Sequence, residues 1–296
     1  MYIKRHIVMR AALLALFTLG PAGSAFAQRT SAAKPTAPKP TAAAKSGRPA
    51  HVSMPAGKHI PFFAQRNANP ITARIPNARP VAVAIPAFRL DTVPVTNADF
   101  LRFVISNPAW QRSATPRIFA ESTYLSHWAS DISLGHIDGA APVTHISWFA
   151  ADAYCRAQGG MLPTTLQWEY AAYDAGRNRA ALQKLILDWY GQPNANREQT
   201  VNPLGPVGQR PGNGYGVFDM VGLVWEWTED FASTMMGSEP RSSGTKEEAV
   251  FCGAGSLGAL DPSDYATFMR YSFRTSLKGN FTTANLGFRC ARKEVP

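Results

Sequence analysis

The stretch Gly205–Asp230 constrains this chain more than any other. It opens on a turn built from Gly212, Asn213, Gly214 and Gly216, runs into the apolar Val217, Phe218, Met220 and Val221, and then reaches Trp225-Glu226-Trp227. Successive side chains of a strand alternate between faces, so at that periodicity the two indoles share one face and Glu226 takes the other. Two large aromatics on one face anchor a core, and a carboxylate turned inward beside them requires partners. The stretch by itself reads as a core strand with flanking turns.

The N-terminal region carries a different signal. Lys4, Arg5 and Arg10 precede the apolar run Ala11–Leu19, and small residues lead to Ala25-Phe26-Ala27 before Gln28. This is the pattern of a secretory signal peptide, residues 1–27, and it predicts cleavage after Ala27 and a periplasmic location in a bacterium. The apolar run is too short to act as a membrane span. Residues 28–58 are rich in Ala, Pro, Lys and Thr, contain no acid, and are expected to form a flexible linker. Residues 59–296 then form one large domain. The formal net charge of +10 is concentrated ahead of that domain. Three cations sit in the leader and six in the linker (Arg29, Lys34, Lys39, Lys45, Arg48, Lys58), which leaves about +1 for the folded part. A basic face for nucleic acid is therefore not expected.

Within the domain, residues 80–90 alternate apolar and small side chains and predict a first strand. Thr96 with Asp99 forms a capping box ahead of Phe100, Phe103 and Val104, predicting a helix over 97–106 that ends at Asn107-Pro108. Residues 109–141 read as irregular and aromatic-rich, and His127 and His136 fit no local metal spacing, so each is assigned a surface or packing role. Ser147 caps a second helix, and Thr164 with Gln167 caps a third, separated by Gly159-Gly160. After Asn196 turns and short strands are expected. The sum is an α+β fold of low regularity. Three cysteines, Cys155, Cys252 and Cys290, allow three pairings and leave one thiol over. No P-loop, G-x-G-x-x-G, H-E-x-x-H or C-x-x-C motif is present.

Four ordered blocks resemble the formylglycine-generating enzyme (sulfatase-modifying factor) family, which includes ergothioneine- and pyoverdine-pathway proteins. They are Val93–Phe100; Pro142–Trp148 with Asp152–Cys155, Leu162–Thr164 and Trp168–Ala172; Gly214–Trp227; and Asn285–Ala291. The resemblance covers about residues 80–293. It implies a C-type-lectin-like fold with long loops, a disulfide between Cys155 and Cys290, and copper, iron or calcium as cofactors within the family's range. Cys252 is then left as a small hydrophobe, a metal ligand or a reactive thiol.

The departures from that family are specific. Sulfatase-activating members carry two copper(I)-binding cysteines after a Gly-Gly-Ser motif, whereas Gly253–Ala266 has Ser256 in place but no cysteine. Formylglycine generation through paired thiolates is therefore not expected. Gly222-Leu223 replaces a Gly-Asn pair associated with a calcium site, and Met161-Leu-Pro-Thr-Thr165 replaces Arg-Leu-Pro-Thr-Glu. In place of the thiolates stand Asp261, Asp264 and Tyr265, followed by Arg270, Arg274 and Arg289, with the first two arginines expected on loop or strand. These groups read as a structural ion-pair network or as a cleft in which arginine forks clamp anions or a peptide. Cys252, Ser256, Asp261, Arg270 and Arg274 are the catalytic candidates, and Trp225, Glu226, Trp227 and Arg289 the framework. The Gly222–Trp227 and Phe251–Ser256 variants resemble exported accessory proteins associated with copper nitrite reductase. That implies a maturation factor, oxidative in kind if catalytic, for a periplasmic redox protein or a secreted metabolite. A silent lectin-like module binding a peptide or protein is the alternative.

Overall fold

The computed structural model describes residues 50–61, 82–173, 179–190, 204–231, 270, 273–274 and 276–294. Contacts divide the chain into Met1–Thr41 and Ala42–Pro296, and all described residues belong to the second unit. Strands β1 (His51–Met54), β2 (Gly57–His59), β3 (Val83–Ile85) and β4 (Phe88–Asp91) come first, followed by helices α1 (Asn97–Ser106), α2 (Trp148–Ala157), α3 (Thr165–Ala172) and α4 (Arg179–Tyr190). The short strands β5 (Trp225–Glu226), β6 (Leu286–Gly287) and β7 (Ala291–Lys293) complete the set. The secondary structure is sparse and mixed, and no described helix is long and apolar enough to cross a membrane.

Local chemistry explains the helices. At α1 the Thr96 hydroxyl accepts the Asp99 N–H at 3.2 Å and the Asp99 carboxylate accepts the Thr96 N–H at 3.4 Å, so two orphan donors are satisfied reciprocally. Phe100, Phe103 and Val104 face inward at helical spacing, and Asn107 closes the helix before Pro108. Ser147 caps α2, and Thr164 with Gln167 forms a second capping box at α3.

Two expectations are corrected here. The linker does not run to Lys58. Residues 51–54 pair antiparallel with β4, residues 57–59 pair with β3, and Met54 is fully buried. The low-complexity linker concealed short strands whose hydrogen bonds come from distant partners. The predicted strand at 80–90 is two strands belonging to different sheets, because Pro86 cannot donate to a continuous ladder.

Sheet order is β1-β4-β7 antiparallel, with β2-β3 antiparallel and β5-β6 parallel. The β5-β6 register puts Trp225 opposite Leu286 and Glu226 opposite Gly287. Only glycine fits at 287, since a Cβ there would lie 2.7 Å from the Val143 carbonyl oxygen. The larger core joins Phe100, Tyr154, Trp128, Trp225, Trp227 and Phe288, and a second core beneath the three-stranded sheet joins Met54, Phe88, Leu90, Trp168 and Met220. A Cys155–Cys290 disulfide ties α2 to the segment between β6 and β7, across 135 residues.

Candidate functional site

The Trp225-Glu226-Trp227 stretch behaves as its alternation requires. Trp225 and Trp227 enter the larger core, while Glu226 turns to the other side. There Arg289 donates from Nε and Nη2 to the two carboxylate oxygens, each at 2.8 Å, and Trp168 Nε1 adds a third bond at 2.7 Å. Arg289 further donates to the carbonyls of Asp91 (3.1 Å) and Phe218 (2.9 Å). Both charged side chains are fully buried, and this bidentate geometry with carbonyl partners is what lets such a pair persist away from water.

Trp168 links this pair to a second arginine. The Arg270 guanidinium carbon lies 3.5 Å from the centroid of the Trp168 ring, a cation–π contact. Burial lowers the Arg270 pKa to about 10; Glu169 opposes the shift, Arg274 adds to it and Glu226 opposes it. Glu169 meets His59 of β2, Oε2 to Nε2 at 3.1 Å, with both residues buried.

A third arginine extends the face. Arg274 Nη1 donates to the Thr165 hydroxyl at 2.7 Å, and Thr165 donates its N–H and its hydroxyl to Asp230 Oδ1, each at 2.7 Å. Thr228 Oγ1 stands 3.1 Å from the same hydroxyl. Phe273 stacks on Trp225 with centroids 4.5 Å apart, and Trp189 of α4 packs on Trp225 at 4.8 Å. Residues 270, 273, 274 and 276 are helical, which corrects the expected loop and strand. Packing of Phe273 on Trp225 supplies a reason that local propensity did not.

Of the predicted residues, the structure brings Arg270 and Glu226 to Trp168 and Arg274 to Thr165, with Arg289 consumed by Glu226. Trp225 and Trp227 lie in the larger core on the other side of the strand. Cys252, Ser256, Asp261, Asp264 and Tyr265 lie outside the described residues. Sequence reasoning passed over Thr165, Asp230 and the His59–Glu169 contact, because pairing across more than 60 residues leaves no local pattern. Helix α4 also went unread. His136 is exposed, as a surface role requires. His127 packs against His145 at 4.9 Å, and its pKa is lowered to about 4 by burial, with His145 and Arg112 adding to the effect.

Copper(I) held by two thiolates does not fit, because two of the three cysteines are joined to each other. Among the described residues no group of three or more His, Cys, Asp or Glu side chains could hold a metal ion. A calcium site using Glu226 does not fit either, since both its oxygens already accept bonds. Two clefts lie elsewhere. One of about 330 Å³ is lined by Leu182, Leu185, Asn213 and Met220, and one of about 210 Å³ by Arg112, Arg117 and Tyr124.

The chain is 28% identical over 310 residues to mouse (Mus musculus) formylglycine-generating enzyme, covering 88% of this chain and 78% of the mouse protein. It is 28% identical over 250 residues to the mouse inactive C-alpha-formylglycine-generating enzyme 2, covering 71% of this chain and 76% of the relative. It is 34% identical over 209 residues to hercynine oxygenase of Mycolicibacterium smegmatis, covering 62% of this chain and 47% of that protein. Among solved structures, PvdO from Pseudomonas aeruginosa superposes with a TM-score of 0.43 at 14% identity, covering 82% of this chain and 94% of that one. The model of the sulfatase-modifying factor enzyme 1-like domain matches residues 36–294, so the chain belongs to that family and carries its α+β fold of sparse secondary structure.

Proposed function

We propose that this chain is an exported accessory or maturation protein, cleaved after Ala27 and working in the periplasm on a redox protein or a secreted metabolite rather than activating sulfatases. One observation carries the reading. The Cys155–Cys290 disulfide takes two of the three cysteines, so at most one thiolate, Cys252, remains for chemistry. A linear pair of soft ligands cannot be assembled from one thiol. What the described face offers instead is two arginines beside stacked aromatics, a binding surface for a partner's polar chain. Oxidative chemistry, by analogy with the oxygenase relatives, would then have to use Cys252 with other donors.

A second reading is a non-catalytic lectin-like module that binds a peptide or a partner protein. The similarity to a relative named as inactive favours it.

The test is direct. Purified mature protein, supplied with copper(I) and a sulfatase-type cysteine peptide, is expected to yield no aldehyde by mass spectrometry. Thiol titration in denaturant should give one free thiol per chain. Aldehyde formation, or three titratable thiols, would sink the reading. Stoichiometric copper or iron that is lost in Cys252→Ala would favour the oxidative accessory role. Metal-free protein that still captures a periplasmic partner would favour the silent module.

A further inference from the structure

Arg274 is under-used. A guanidinium has five N–H donors and is always charged, so a buried one is normally surrounded by acceptors. Arg289 shows the usual case, with four bonds to a carboxylate and two carbonyls. Among the described residues Arg274 makes one bond, to the neutral Thr165 hydroxyl, while its Nε is buried without a partner. Among the described residues no carboxylate lies within ion-pair distance of Arg274 or Arg270. The acids nearby are engaged: Glu226 with Arg289, Glu169 with His59, and Asp230 with the first turn of α3.

An unmet charged donor is costly in the empty protein, and an acceptor that reaches it recovers that cost. Beside it, Arg270 lies over Trp168 with no hydrogen bond to a described residue, and Phe273 stacks on Trp225. We infer that the Arg270–Arg274 face is a receptor for a carboxylate on a ligand with a flat or apolar body, such as an aromatic carboxylic acid or the C-terminal residue of a peptide. The carboxylate bridges the two guanidiniums and takes the Arg274 Nε–H, and the body lies along Phe273. This deepens the binding role proposed above and rests on that reading of the face.

The probes are N-acetyl-phenylalanine, its primary amide and sodium sulfate, titrated into the mature protein by calorimetry and by intrinsic tryptophan fluorescence. The acid is expected to bind, the amide to bind at least about tenfold more weakly, and sulfate not to compete at equal concentration. Arg274→Gln should weaken the acid about tenfold or more, and Arg270→Gln by a smaller factor. Arg274→Lys is the decisive variant. It keeps the positive charge but removes the Nε–H and the planar fork, so it should weaken acid binding as Arg274→Gln does while leaving the fold intact. Equal binding of acid and amide overturns the inference, as does equal competition by sulfate, which would indicate an oxyanion site of no particular shape. Retained binding in Arg274→Lys or in Arg274→Gln overturns it too. None of these failures changes the thiol count or the aldehyde assay, so the broader reading stands or falls separately.

Discussion

Arg289 and Arg274 solve opposite problems. Arg289 is sealed in the framework, and its bonds to Glu226, Asp91 and Phe218 fix how the Trp225 strand, β4 and the closing segment meet. Among the described residues Arg274 has one neutral partner, the Thr165 hydroxyl, and a buried Nε left over. The first arrangement is complete, and nothing added to it could improve it. The second is incomplete, and a buried donor left unpaired calls for an explanation. The difference teaches that arginines grouped together in sequence can belong to scaffold and to site.

The comparison can be broken or sharpened in order of expected effect. The largest belongs to the framework staple. Replacing Cys155 and Cys290 with serine should cost up to about 5 kcal/mol in the chain-entropy account of so long a loop, read as a lower urea midpoint. An unchanged midpoint would show that the framework does not depend on its covalent tie.

Next comes Arg289→Met, which leaves Glu226 buried and uncompensated and should cost about 3–5 kcal/mol. The double variant Glu226→Gln, Arg289→Met should recover part of that loss. If Arg289→Met proves as mild as Arg274→Met, the distinction between the two arginines collapses.

A smaller effect comes from acid. The pKa of His127 is lowered from its usual 6.5 to about 4 in the folded chain by burial, by His145 and by Arg112. The unfolded chain therefore binds the proton first. The stabilisation is fully present above pH 6.5 and is lost as the pH falls toward 4, by roughly 3 kcal/mol at most. His127→Gln should flatten that limb of a stability-against-pH curve, and a curve unchanged by the substitution would remove His127 from the account. The smallest effect is Arg274→Met, within about 1 kcal/mol either way by thermal unfolding, because the side chain holds so little in the empty protein.

Much of the scaffold was legible in the residues. Thr96 with Asp99 and Thr164 with Gln167 announced two helices, since capping is settled within four residues. The alternation at Trp225-Glu226-Trp227 placed the indoles inward and demanded partners for the carboxylate. The disulfide came from family resemblance, and the structure bears it out. What escaped was non-local. The strands at 51–59 hide in low-complexity sequence because their partners lie 24 to 40 residues away. The single reading of 80–90 failed at Pro86. The helical state of Arg270 and Arg274 is stabilised by Phe273 packing on Trp225, 48 positions earlier in the chain.

The sequence by itself determined the family, the helix starts, the inward tryptophans and the supply of only three cysteines. These follow from short-range stereochemistry and from counting, which need no coordinates. Only the tertiary structure decided which arginine was already satisfied. That depends on where Glu226, Thr165 and the surrounding carbonyls fall in space, and hydrogen-bond saturation is a property of distances that no spacing along a chain encodes.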